Sequence, residues 1–100
     1  MSSYVLGVDV GTTAIKAALF DAQGVEVGSH SEEYSLLTPR AGWVELDADT
    51  YTSTFSLAVR GVLENNRVAA GELTALGLSA QGETLLCLDA DGEPIGRAIV

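Results

Sequence analysis

Apolar runs in the first third of the chain predict three consecutive strands. Residues 4–10 are apolar and rich in β-branched side chains, and residues 13–20 resume the same pattern. A third strand is predicted at residues 25–33, and Asp21 and Gly24 frame a tight turn between the second and third strands. In such a turn the carboxylate accepts backbone hydrogen bonds and the glycine supplies a positive φ. Two successive hairpins make the first and third strands parallel.

An amphipathic helix is predicted over residues 48–66, because apolar residues recur there at three- and four-residue spacing. The positions that share this face are Tyr51, Phe55, Ala58, Val59, Val62 and Leu63. Asp47 is a favourable N-cap residue, and Asp49 lies near the positive end of the helix dipole. The preceding residues 34–46 have no steady period and are predicted to form a loop.

The second half of the chain completes a predicted α/β fold. Residues 73–80 are almost continuously apolar, which is typical of a central strand covered on both faces. Residues 83–89 and 95–100 predict two more strands, joined by a turn at residues 89–92. A right-handed helical crossover from strand three lays strand four beside strand one, parallel to it. The result is a mixed sheet of order 3-2-1-4-5 with a crossover helix.

Composition limits the classes of partner. A chain of 100 residues with 47% hydrophobic content can form one compact domain. Its formal charge of −9 repels nucleic acid and anionic membranes, so neither is an expected partner. No apolar run approaches the roughly 20 residues that span a bilayer, and residues 1–4 lack the features of a signal peptide. A single cysteine fits a reducing compartment, so the cytoplasm is the expected location.

The stretch from Asp9 to Lys16 carries the most informative chemistry. An acid, a glycine turn, two hydroxyls and the only lysine of the chain fall within eight residues. Gly11 lets the backbone approach an anion, Thr12 and Thr13 add neutral donors, and Lys16 adds a countercharge. Asp9 can serve as an oxygen ligand for Mg²⁺ on nucleotide phosphates. An ordinary hairpin with a solvated acid and lysine is the alternative, and spacing alone does not decide between them.

A second candidate region follows the fourth predicted strand. In open α/β sheets ligands bind at the carboxyl ends of the strands, so Asp9 and residues 80–83 are expected at one rim. Glu83 is the carboxylate of this stretch, and a solvated loop glutamate is the alternative to a ligand contact.

Three other residues have simpler structural interpretations. His30 is expected at the surface, because no cysteine or carboxylate lies at ligand spacing. Cys87 lies within an apolar run and is expected in the core. Trp43 could stack on a sugar ring, but we expect a loop anchor packed on the sheet.

Blocks of residues along the whole chain occur in an order specific enough to indicate a family. They are Asp9-Val10-Gly11-Thr12-Thr13 with Lys16, Leu19-Phe20-Asp21 with Gly24, Gly42-Trp43-Val44-Glu45 with Asp47, and Leu76-Gly77-Leu78-Ser79-Ala80-Gln81 followed by Leu85, Leu86, Asp89, Gly92 and Pro94. Together they resemble the start of an FGGY-family carbohydrate kinase. This resemblance implies the actin-like, ribonuclease-H-like ATPase fold, with residues 1–100 as the N-terminal part of the first domain.

The resemblance also implies an activity and its residues. Family members phosphorylate a hydroxyl of a sugar or polyol with ATP and Mg²⁺, so the implied partners are that substrate and the remainder of the kinase chain. By position, Asp9 would lie beside the metal. The residues that match ATP phosphate contacts are Gly11, Thr12, Thr13 and Lys16. Those that match substrate contacts are Gln81, Gly82 and Glu83. The general-base aspartate is expected downstream, so we expect this chain to be inactive alone.

One departure from the family pattern and two alternative functions remain. Family members carry Arg-Glu or Met-His where this chain has Gly82-Glu83, so neither pattern is complete. The chain could instead be a stand-alone module that forms homo-oligomers through exposed sheet edges. It could also be another actin-like ATPase, such as an acetate kinase or glucokinase relative, although residues 42–45 favour the FGGY family.

Overall fold

The structure is a computed structural model that describes residues 3–100. Its elements in chain order are β1 (Tyr4–Val10), β2 (Ala14–Phe20), β3 (Glu26–Glu33), β4 (Glu45–Leu46), α1 (Ala48–Asn65), a 3₁₀ turn (Ala70–Glu72), β5 (Leu73–Ala80) and β6 (Ala98–Ile99). No helix within this part of the chain has the length and apolar character that crossing a membrane requires.

The main sheet has four strands in the order β3-β2-β1-β5. β1 pairs antiparallel with β2 and parallel with β5, and β2 pairs antiparallel with β3. Four strands of the predicted order 3-2-1-4-5 and the crossover helix are therefore confirmed. Asp9 lies opposite Lys16 on β2 and opposite Ser79 on β5.

The hydrophobic core lies between α1 and one face of this sheet. Its buried residues are Leu6, Val8, Ile15, Ala17, Leu19, Tyr34, Leu46, Ala58, Val62 and Val68. Alternate residues of β1 and β2 enter the core because successive strand side chains point to opposite faces. Burying a leucine fully is worth about 1.5–3 kcal/mol, so this face fixes the position of the helix. The predicted apolar face of the helix is confirmed.

Two glycines let α1 approach β3 closely. A Cβ atom on Gly61 would lie 2.3 Å from the His30 ring, and one on Gly28 would lie 2.4 Å from the Asn66 side chain. His30 is consequently half-buried, and its Nε2 lies 2.8 Å from the Glu32 carboxylate. His30 keeps 30% of its side chain exposed, so it lies at the surface as predicted but is partly covered by α1 and by Glu32.

The two predicted aspartate turns form with the same hydrogen bonds. In each, the aspartate Oδ1 accepts from backbone N–H groups two and four residues later, at 2.9–3.0 Å. The aspartates are Asp21 and Asp89, and the glycines that adopt φ 81° are Gly24 and Gly92. Both turn predictions are confirmed.

The predicted fifth strand at residues 83–89 does not join the main sheet. Isolated bridges instead pair Leu85 with Ile99 and Leu88 with Pro94, and β6 pairs with β4 in a separate two-stranded sheet. Glu83 adopts a left-handed backbone with φ 63°, which turns the chain away from β5. The segment therefore pairs with residues 94–99 rather than with the sheet edge.

Because no fifth strand follows, β5 is an edge strand of the part described here, and its apolar side chains are exposed. Leu76 is 49% exposed and Leu78 is 64% exposed. The prediction of a central strand covered on both faces was wrong for residues 3–100, since α1 packs over β2 and β3. Cys87 was predicted in the core and is exposed for the same reason.

Two predicted loop contacts also differ in the structure. Trp43 is 50% exposed, and the Arg40 guanidinium lies 4.9 Å from its ring centroid, so it is not packed on the sheet. Asp47 precedes α1 as predicted but makes no side-chain cap hydrogen bond. Its carboxylate instead accepts from Arg97 Nε at 3.2 Å, while Glu45 accepts from Arg97 Nη1 at 3.2 Å. The hydrogen bonds that Arg97 donates to Glu45, and then to Asp47, raise the pKa of Arg97.

Candidate functional site

The carboxyl ends of β1 and β5 carry two loops that touch each other. The N–H of Gln81 donates to the Val10 carbonyl at 3.0 Å. The Thr12 hydroxyl donates to Gln81 Oε1 at 2.8 Å. The structure therefore brings together the 11–13 turn and the 81–83 loop. The sequence placed Asp9, just before that turn, and residues 80–83 at one rim of the sheet.

The 11–13 turn exposes backbone donors. Gly11 N–H donates to the Ala14 carbonyl at 2.9 Å, and a Cβ atom on Gly11 would lie 3.0 Å from that same oxygen. Glycine at position 11 therefore allows a tighter turn than a residue that carries a Cβ atom. Within residues 3–100, the N–H groups of Thr12 and Thr13 donate to no backbone carbonyl. Consecutive free N–H groups in a turn, flanked by two exposed hydroxyls, are donors suited to an anion.

Tyr34, which sequence reasoning missed, holds this turn from the core side. Its N–H donates to the Thr13 carbonyl at 2.9 Å, and its hydroxyl donates to the Gly11 carbonyl. Its ring packs edge-on against Tyr51, with centroids 5.6 Å apart. Burial, followed by the nearby Tyr51 hydroxyl, raises the pKa of Tyr34. The available sequence signal was an aromatic residue directly after a strand, within a segment predicted to be a loop.

Asp9 and Lys16 lie on the face of the sheet opposite α1. Their strand neighbours Val8 and Ile15 are buried in the core, and side chains alternate between faces. Asp9 and Lys16 are exposed and line an open concavity of about 510 Å³ together with Ser79. Ser79 was not predicted as a site residue, although its position follows from the parallel register of β1 and β5.

The 81–83 loop presents Glu83 at the tip of a tight turn. The N–H of Thr84 donates to the Gly82 carbonyl at 2.9 Å, which closes a three-residue turn around Glu83. A left-handed conformation costs a residue other than glycine about 1–2 kcal/mol. Such strain concentrates at functional positions. The side chain of Glu83 is exposed at the same rim as Thr12.

The acidic residues do not form a protein metal cage. No group of three histidine, cysteine, aspartate or glutamate side chains suited to a metal occurs within residues 3–100. Mg²⁺ at phosphate sites usually takes one or two carboxylates and completes its shell with phosphate oxygens and water. A single exposed carboxylate at Asp9 fits that kind of ion.

Comparison with known proteins defines the family. Residues 4–100 match the N-terminal domain of the FGGY family of carbohydrate kinases. The chain therefore belongs to this family, and its resemblance to the start of such a kinase is confirmed.

Individual relatives agree with this assignment. A glycerol kinase from Alkaliphilus metalliredigens is 40% identical over 101 residues, and a probable L-xylulose kinase from Pasteurella multocida is 36% identical over 98 residues. These matches cover 100% and 98% of this chain. The chain spans 20% of the length of each of these relatives.

Solved structures confirm the fold class. A xyloylose kinase from Brucella ovis superposes with a TM-score of 0.91 at 28% identity, covering 97% of this chain and 20% of that one. A gluconate kinase from Lactobacillus acidophilus superposes with a TM-score of 0.84 at 31% identity, covering 99% and 20%. The chain thus has the first part of an actin-like ATPase domain.

Proposed function

We propose that this chain is the N-terminal part of the first domain of a kinase that transfers the γ-phosphoryl group of ATP to a hydroxyl of a sugar or polyol. The observation that carries the proposal is the hydrogen bond between Thr12 and Gln81, which joins an anion-binding turn to a loop bearing a free carboxylate. Phosphoryl transfer depends on positioning both reactants side by side, and two touching loops meet that need. Glycerol, L-xylulose and gluconate kinases among its relatives support the same substrate class.

The 11–13 turn is assigned to the ATP phosphates. The free N–H groups of Thr12 and Thr13 donate to phosphate oxygens, and Gly11 keeps the turn narrow enough for close approach. Lys16 lies across the hairpin from Asp9 and supplies positive charge. Asp9 is assigned to Mg²⁺, which neutralises charge that develops on the phosphates during transfer.

The 81–83 loop is assigned to the substrate. Gln81 already accepts a hydrogen bond from Thr12 through Oε1, so its amide NH₂ group remains for a substrate hydroxyl. Gly82 adds no side chain between Gln81 and Glu83, which leaves space beside the carboxylate. Glu83 accepts from one or two hydroxyls, and a vicinal diol is the matching partner.

The remainder of the site is assigned to the rest of the kinase chain. A base must remove the proton of the attacking hydroxyl, and we expect an aspartate beyond residue 100 in that role. The exposed leucines of β5 support this assignment, because a strand this apolar gains stability when a further layer covers it. The reaction is expected in the cytoplasm, where ATP is available, and the isolated chain is expected to be inactive.

The proposal is tested with the purified full-length protein. ADP release is measured with ATP, Mg²⁺ and a panel that contains glycerol, L-xylulose and gluconate, with the 100-residue chain as the matched control. We expect substrate-dependent ADP release from the full-length protein and none from the chain alone. Absence of release with every polyol contradicts the kinase assignment, and turnover by the chain alone contradicts the need for downstream residues.

The exposed edge of β5 favours a second candidate, self-association of the isolated chain. An uncovered edge strand presents unpaired backbone groups to another copy, and Leu78 adds exposed apolar surface.

Light scattering coupled to size exclusion tests self-association. We expect the wild-type chain to run as a dimer if this candidate is right, and Leu78→Lys to run as a monomer because an edge charge opposes pairing. Leu57→Lys makes the same change at an exposed position of α1 and should leave the dimer intact. A monomeric wild-type chain removes this candidate.

A further inference from the structure

We propose that Tyr34 is a positioning residue that sets the direction of the Thr12 N–H in the phosphate-binding 11–13 turn. This inference rests on the proposed function, because it gives that turn the role of binding ATP phosphates. Tyr34 contacts the turn at two points, through its backbone N–H to the Thr13 carbonyl and through its hydroxyl to the Gly11 carbonyl. Both contacts reach residues that the proposal assigns to phosphate.

Because the peptide group is planar, a contact that holds a carbonyl also fixes the direction of the next N–H. The carbonyl of one residue and the N–H of the next lie in one rigid plane and point in opposite directions. When Tyr34 holds the Gly11 carbonyl toward the core, the N–H of Thr12 must point away from the core. The hold on the Thr13 carbonyl fixes the N–H of Ala14, where the turn enters β2. Tyr34 therefore sets where Thr12 presents its N–H without touching the phosphate itself.

The surroundings of Tyr34 make it a rigid support. Only 9% of the residue is exposed, and it follows directly after β3, whose last residue pairs with Ala14 at the start of β2. The edge-on contact with Tyr51 ties the ring to α1. A side chain held by both a strand and a helix loses little further freedom when it makes the hydrogen bond, which favours a fixed turn.

Tyr51 offers a matched control at the same place in the fold. Its hydroxyl is buried and has no hydrogen-bond partner among the described residues. A tyrosine-to-phenylalanine change at either position removes the hydroxyl group from one of two rings that contact each other. Only the change at Tyr34 removes a hydrogen bond to the 11–13 turn.

The experiment compares Tyr34→Phe and Tyr51→Phe in the full-length protein. For Tyr34→Phe we expect the KM for ATP to rise about fivefold, the factor that one net hydrogen bond is worth. The KM for the sugar should stay unchanged, and amide hydrogen exchange of Gly11, whose N–H donates to the Ala14 carbonyl, should accelerate. Tyr51→Phe should leave all three quantities unchanged, and its Tm should equal or exceed that of the wild type because an unpaired buried hydroxyl is removed.

Each outcome supports or overturns the inference. The inference is overturned if the two variants have the same KM for ATP and the same rates of amide hydrogen exchange. It is also overturned if Tyr34→Phe lowers the Tm but does not raise the KM for ATP selectively. If the wild-type protein phosphorylates no polyol, the proposed function fails instead. Hydrogen exchange then still decides whether Tyr34 holds the turn.

Discussion

Replacing Asp9 with asparagine in the full-length protein should lower kcat by about 10²–10³-fold, the loss typical when one preorganised electrostatic contact to the reacting group is removed. Asparagine keeps the shape of the side chain but removes the charge that we assign to Mg²⁺. Asp9 is exposed and makes no core contact, so the Tm should change little. Steady-state kinetics over a range of Mg²⁺ concentrations, together with thermal unfolding, measure both effects.

Asp91→Asn is the matched control for this change. Asp91 is exposed in the turn after Asp89 and contributes only its backbone N–H to that turn. The substitution removes one negative charge from the same chain, far along the sequence from the 11–13 turn, and should leave kcat unchanged. If Asp9→Asn retains the wild-type kcat, Asp9 does not belong to the site.

Removing the carboxylate of Glu83 should raise the KM for the sugar by about 10–100-fold, since hydrogen bonds to charged groups contribute about 1.5–3 kcal/mol. The KM for ATP should rise much less, because the 11–13 turn is intact. Glu83→Ala and Glu83→Gly are compared by initial rates with each substrate varied in turn. Glycine adopts the positive φ at this position without strain, so it separates loss of the carboxylate from distortion of the backbone.

Glu93→Ala serves as the control, because it removes an exposed carboxylate that follows the turn of Asp89. Its kinetic constants should match those of the wild type. A rise in both Michaelis constants by the same factor after either change at Glu83 would argue against a substrate contact. A defect in Glu83→Ala that Glu83→Gly repairs would assign the position to backbone geometry alone.

Local patterns account for the parts of the fold that sequence reasoning obtained. The helix period, the apolar strands β1 and β2, and the turns of Asp21 and Asp89 each depend on residues close together in the chain. Strand order then followed from two hairpins and the handedness of one crossover. The position of Asp9 near the end of β1, beside the end of β5, was predictable for the same reason.

Contacts between distant segments account for what the sequence did not reveal. The hydroxyl of Tyr34 reaches Gly11 across 23 positions, and no local period indicates that contact. The hydrogen bond from Thr12 to Gln81 spans 69 positions. The error at residues 83–89 has a different cause, since their apolar pattern was correct for a strand but the left-handed Glu83 directed the chain elsewhere.

The most direct test of the central claim is a crystal structure of the full-length protein with an unreactive ATP analogue, Mg²⁺ and a polyol that the enzyme phosphorylates. We expect phosphate oxygens on the N–H groups of Thr12 and Thr13, the metal next to Asp9, and a polyol hydroxyl on Glu83, all within one cleft. Nucleotide and polyol bound away from the touching 11–13 turn and 81–83 loop would contradict it.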